Sequence, residues 1–200
     1  MKINMNLHKA FGIAAIIFLA AVIIFSAIYY KDVYGASGGS QYLTQSQLES
    51  LNVTGPGVYI SPANSTIYVN NSTTLLVMAG PMDGPSMYSF EIEGLFNPTI
   101  VIREGVTVHF VVVNIDTDSE HNFVLSTRGP PYPYMSGMEY MGSGGFGFMT
   151  YMGFLPPTNS GHFYYYDFSY AFSQSGTYWY LCTYPGHAEN GMYGKIVVDQ

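Results

Sequence analysis

The 200-residue chain has one cysteine, Cys182, one tryptophan, and charge on only 10% of its residues. A single cysteine forms no internal disulfide, and it excludes any metal centre built on two or more thiolates of one chain. From Lys31 onward there are four basic residues (Lys31, Arg103, Arg128, Lys195) against thirteen acidic ones, a balance of −9. Nucleic-acid binding needs a basic footprint, and none is present. Ordinary domains carry charge on about 25% of residues. Here tyrosine, serine, threonine and asparagine take that place, and such groups solvate a surface without titrating. A chain built this way loses little stability when carboxylates protonate, so exposure to strong acid is expected.

Long apolar runs are absent but for one. Residues 10–30 carry no charge, which is about the length that crosses a bilayer as a helix. The apolar region of a cleaved signal peptide is usually only about 7–15 residues long, so residues 1–31 read as a retained membrane anchor. Lys2 and Lys9 precede the span and Tyr29 and Tyr30 end it, which predicts a cytoplasmic N-terminus and everything later on the outer side. Cysteines in such a compartment usually pair; Cys182 has no partner in the chain, and a metal is the remaining explanation for it. Residues 32–56, with a Gly/Ser run at 35–40, read as a flexible tether, within which 42–51 has the pattern of a short helix. Sequons at Asn52, Asn64, Asn70 and Asn71 fit exported surface loops.

Residues 57–200 form the expected folded domain. Short β-branched and aromatic runs broken by Gly, Pro and Asn predict strands at 66–69, 74–78, 88–92, 99–102, 107–114, 122–125, 162–166, 177–182 and 194–198. This spacing predicts an all-β sandwich or barrel. The continuous apolar run at 107–114 predicts a central strand covered on both faces. Residues 132–154 differ in being rich in Gly, Met and aromatics, with Met135, Met138 and Met141 at steps of three, then Met149 and Met152. This insertion reads as an apolar flap over one end of the sandwich; a Cu(I) loading site, or a face that docks partners, are the alternatives for its soft thioethers.

The chemistry concentrates near the C-terminus. Four residues separate Cys182 from His187, and four more separate His187 from Met192, with Pro185, Gly186, Asn190 and Gly191 supplying turns. One short loop can thus present a thiolate, an imidazole and a thioether to a single point, a soft ligand set suited to copper. His121 is the best fourth ligand, ahead of His109 and His162, which lie in predicted strands; His8 precedes the membrane span. Two imidazoles and a thiolate with a weak axial thioether let one copper ion per chain cycle between Cu(I) and Cu(II) with little rearrangement. Among supporting residues, Asn122 is expected to tie the two ligand loops together and to aim its backbone N–H at the Cys182 sulfur. Tyr178 and Tyr180 share a strand face with Cys182 and should lie beneath the metal, while Trp179 points the other way.

The run from Gly176 to Val198 resembles the copper loop of the cupredoxins. The four-and-four spacing and the wording Gly-His-Ala-x-x-Gly-Met-x-Gly-Lys-Ile-Val-Val are similar to those of the rusticyanins, whereas the anchor, tether and length resemble the membrane-attached sulfocyanins of acidophiles. The resemblance implies a Greek-key sandwich, a mononuclear blue (type 1) copper site, and service as a non-enzymatic electron carrier. Its partners would be a redox donor and a terminal oxidase on the outer membrane face, with no small-molecule substrate. An edge of His187, flanked by Tyr184 and Pro185, would be the electron port. No His-x-His pair occurs, which argues against a multicopper oxidase. An extracytoplasmic copper chaperone or store shares the ligands and is the competing function.

Overall fold

The structure is a computed structural model and describes residues 41–51, 55–137, 149–150 and 153–200. The expected membrane span at 10–30 lies outside the described residues, as do Met138, Met141 and Met152. Among the described residues no helix is long and apolar enough to cross a membrane.

Alternation of apolar and polar side chains generates the strands. In β3 (Thr66–Val69), β4 (Thr73–Ala79) and β7 (Thr99–Arg103), Ile67, Val69, Leu75, Val77, Ala79, Ile100 and Ile102 are all fully buried. Fully burying one such Val, Leu or Ile stabilises by about 1.5–3 kcal/mol. The other strands are β1 (Tyr42–Leu43), β2 (Val58–Ser61), β5 (Phe90–Ile92), β6 (Leu95–Phe96), β8 (Thr107–Asn114), β9 (Val124–Ser126), β10 (Phe163–Ala171), β11 (Gly176–Leu181) and β12 (Tyr193–Asp199). They form two sheets, ordered β1-β10-β8-β4-β5-β6 and β2-β3-β7-β12-β11-β9. Inner-face residues of both sheets make one core cluster, an all-β sandwich in which Phe90, Phe110, Phe123 and Tyr180 interlock edge to face and stacked. Parallel pairings of β4 with β8, and of β7 with β3 and β12, mean that the chain returns to each sheet only after crossing to other strands.

Two expectations need correction. β8 is central but is covered on one face only along its first half: Val108, Phe110 and Val112 are buried, whereas the His109 side chain is 37% exposed and faces Asp167 and Ser169 of β10. β-branched residues on the outer face of a sheet mimic a doubly buried strand in sequence. β10 runs on to Ala171 because Phe168 and Tyr170 continue the inward alternation past Asp167 and Ser169. The short helix expected within 42–51 is present, and a strand precedes it. β1 pairs with β10 through Tyr42 and Leu43, and a helix at Gln45–Ser50 starts from a Thr44–Gln47 capping box.

Candidate metal centre

Cys182 directly follows β11, and its N–H donates to the Met192 carbonyl at 3.1 Å. Within the loop, the Met192 N–H donates to His187 O at 3.0 Å, and the His187 N–H to Tyr184 O at 3.0 Å. Gly186 and Gly191 adopt φ of 81° and 103°, a region open to glycine, and this lets the chain double back between the two strands. His121 sits before β9 and exchanges both backbone hydrogen bonds with Leu155, at 2.7 and 3.2 Å. The residue that follows the Met-rich insertion therefore clamps the backbone of His121.

These segments bring three donor atoms together. Cys182 Sγ lies 3.5 Å from His187 Nδ1 and 3.9 Å from His121 Nδ1, and the two Nδ1 atoms are 3.2 Å apart. All three residues are buried. Metal bonds of about 2.0 Å to imidazole and about 2.3 Å to thiolate reach one point from such a triangle. The donor set, two imidazoles and a soft sulfur, fits copper. Met192 is fully buried in the core cluster that contains Cys182.

The ligand loops are joined by Asn122. Its Nδ2 donates to Thr183 Oγ1 at 2.8 Å, and its Oδ1 accepts from the Thr183 N–H at 2.7 Å. Backbone N–H groups of Asn122 and Tyr184 hydrogen-bond to the Cys182 sulfur. Burial pushes the Cys182 thiol up to about 12, and those two N–H groups act in the opposite direction. Tyr180 is fully buried below Cys182, with its hydroxyl donating to Pro98 O at 2.6 Å and its ring stacked on Phe123. Tyr178, two residues further from the site, is half-buried against Phe172. Trp179 faces away, against Tyr193.

Burial also holds both histidines neutral. It drives His187 down to about 4, helped by the neighbouring His121 and opposed by Asp116. For His121 burial again lowers the pKa, opposed by a hydrogen bond and attraction from Asp116. Asp116 lies 3.0 Å from His121 Nε2. Its own burial disfavours the charged carboxylate, but the bonds from His121, Asp118 and Ser119 outweigh that and hold its pKa below the usual value.

His187 keeps 5% of its surface open against 1% for His121. Around it stand Tyr184 and Tyr88, with ring centroids 4.7 and 5.3 Å away, and Phe154, which packs edge-on against Tyr184. Pro185 is half-buried beside them, and the Gly186 N–H donates to Tyr134 O at 2.7 Å. The rival histidines stand apart from the triangle. His109 is on the outer sheet face, and His162 packs edge-on against Tyr42 and meets the Asn159 carbonyl.

Asp116, Thr183, Leu155 and Tyr88 support the site without having been expected there. Asp116 lies in the run Asp-Thr-Asp-Ser-Glu, whose three carboxylates look like a solvated turn. Only its five-residue distance from His121 was available as a signal.

A family model described as copper-binding proteins of the plastocyanin/azurin family matches residues 94–199. Rusticyanin of Acidithiobacillus ferrooxidans is 35% identical over 136 residues, 68% of this chain and 68% of the relative. The copper-resistant cuproprotein CopI of Rubrivivax gelatinosus is 34% identical over 107 residues, 52% of this chain and 59% of that protein. A solved structure of reduced rusticyanin superposes with a TM-score of 0.67 at 30% identity, covering 80% of this chain and 99% of that one.

Proposed function

We propose that this chain, which belongs to the plastocyanin/azurin family of copper-binding proteins, carries single electrons through one copper ion held by His121, Cys182, His187 and Met192. Cupredoxins such as rusticyanin transfer electrons and are not enzymes, and this chain is not an enzyme. Copper, when bound, supplies a one-electron Cu(I)/Cu(II) couple. The rest falls to the protein. The observation that carries the reading is the buried triangle of Cys182 Sγ, His121 Nδ1 and His187 Nδ1, assembled from chain segments some sixty residues apart.

The chain's residues keep that triangle from rearranging. Asn122 and Thr183 lock the two ligand segments side to side, and Leu155 locks His121 from the other direction. A cage that stays fixed costs little reorganisation when the charge inside it changes, and fast transfer follows. Burial keeps both imidazoles unprotonated, as metal ligands must be. Electrons leave and enter at the His187 edge, through the aromatic wall of Tyr88, Tyr184 and Phe154 beside Pro185.

The carrier works, on this reading, at the outer face of a membrane, passing electrons from a redox donor to a terminal oxidase as the sulfocyanins do. The uncharged span at residues 10–30, preceded by Lys2 and Lys9, supports attachment with the N-terminus in the cytoplasm. The scarcity of titrating groups supports work in acid. A chaperone or store would use the same ligands, but it must release its ion, and a doubly locked, buried site opposes release. The test is spectroelectrochemical titration of the copper-loaded protein. Intense thiolate-to-copper absorption that bleaches and returns reversibly with one electron per chain supports the carrier; copper bound without that band, and lost on reduction, supports the store.

A further inference from the structure

We propose that Asp116, acting through His121, biases the bound copper toward its oxidised state and so holds the carrier's reduction potential down. This rests on the reading that His121 is a copper ligand. The Asp116 side chain is 6% exposed, and its Oδ2 lies 3.0 Å from His121 Nε2, the ring nitrogen facing away from the triangle. Its Oδ1 accepts from the N–H groups of Asp118 and Ser119, at 2.7 and 3.3 Å. The Asp116 N–H donates to Asn114 Oδ1 at 3.0 Å, and Asn114 Nδ2 in turn donates to the carbonyls of Ser119, Leu155 and Pro156. The Thr158 N–H closes the cage on Asp116 O at 2.7 Å. Each oxygen of the carboxylate thus has a fixed donor, and the group cannot swing away from the imidazole.

Gly80 seals the pair. Its backbone, at φ +69°, passes so close that an added Cβ would lie 2.6 Å from both Asp116 Cβ and His121 Nε2. Water has no room to screen the hydrogen bond from that side. With Nε2–H donated to the carboxylate, the His121 ring presents its Nδ1 lone pair toward Cys182 and His187, and the carboxylate raises the basicity of that lone pair. A full negative charge behind the ring also favours the ion bearing one more positive charge. His187 has no such support: among the described residues it forms no ion pair with a carboxylate, and its neighbours are aromatic rings. The two imidazoles are therefore inequivalent, one hydrogen-bonded to a carboxylate and 1% exposed, the other without such a bond and 5% exposed.

The substitution that tests the effect is Asp116→Asn, which removes the charge and keeps one oxygen for the His121 N–H, at the loss of the acceptor for the Asp118 and Ser119 N–H groups. In copper-loaded full-length protein at neutral pH, the ratio of Cu(II) to Cu(I) affinity should fall at least tenfold, so that the midpoint potential rises by at least about 59 mV. A blue variant whose potential is unchanged or lower overturns the proposal while leaving the copper carrier intact; wild-type protein that binds no copper overturns both. Should the variant not fold, proton and nitrogen NMR of the wild-type Cu(I) form decides. His121 is expected to carry its proton on Nε2, in slow exchange with water. An unprotonated or rapidly exchanging Nε2 overturns the proposal.

Discussion

Cys182 carries its proton in the metal-free protein at neutral pH, because burial holds its thiol near 12, while His187, held near 4, carries none. Copper binds the thiolate, so loading at pH 7 should release close to one proton per ion. Calorimetry in buffers of different ionisation enthalpy checks this; loading without proton release would contradict it. The histidines give the pH dependence of the metal-free fold. Their folded pKa values lie below the unfolded value of about 6.5, so the unfolded chain binds more protons as pH drops. Stability present above about pH 6.5 should therefore be lost as pH falls below it, for His187 towards its folded value of about 4. Denaturant melts across this range should show the decline without copper and a much smaller one with it. Asn122→Ala should strand buried groups of Thr183 and cost about 1–3 kcal/mol, with faster copper release; unchanged stability would mean the two loops do not depend on this tie.

At the scale of elements, the sites where strands pass closest are the most sensitive. Gly194 of β12 lies against the Tyr180 ring of β11, and an added Cβ would overlap the phenol that bonds Pro98 O. Gly194→Ala should therefore destabilise by several kcal/mol, within the range of core overpacking and hydrogen-bond loss; chemical denaturation measures it, and a neutral result would contradict this packing. The predicted strands at 66–69 and 107–114 match β3 and β8 end to end because β-branched and aromatic runs bounded by turn residues define them. β1 and β6 are two residues each and have no periodicity to read. The site divides in the same way. Cys182 and His187 were legible because one loop carries them, whereas Asp116 reaches His121 only through a turn built by Asn114 and backed by Gly80, contacts that no local pattern encodes.

For the molecule as a whole, the low charge content and the buried centre point to a protein that tolerates acid once loaded. The melting temperature of the copper form should stay nearly level from neutral to strongly acidic pH, and the blue colour should persist well below pH 6.5. A steep fall or bleaching on mild acidification would contradict this. Both sheets converge on the centre: β11 and the loop before β12 supply Cys182 and His187, the segment before β9 supplies His121, and Ser89 at the head of β5 pairs with Gly80 to place the glycine over Asp116. Electron paramagnetic resonance of the oxidised, copper-loaded protein tests the central claim most directly. Coordination by Cys182 thiolate and two imidazoles predicts narrow copper hyperfine splitting that disappears in Cys182→Ser, whereas wide splitting typical of ordinary tetragonal copper, or a narrow pattern surviving that substitution, would contradict it.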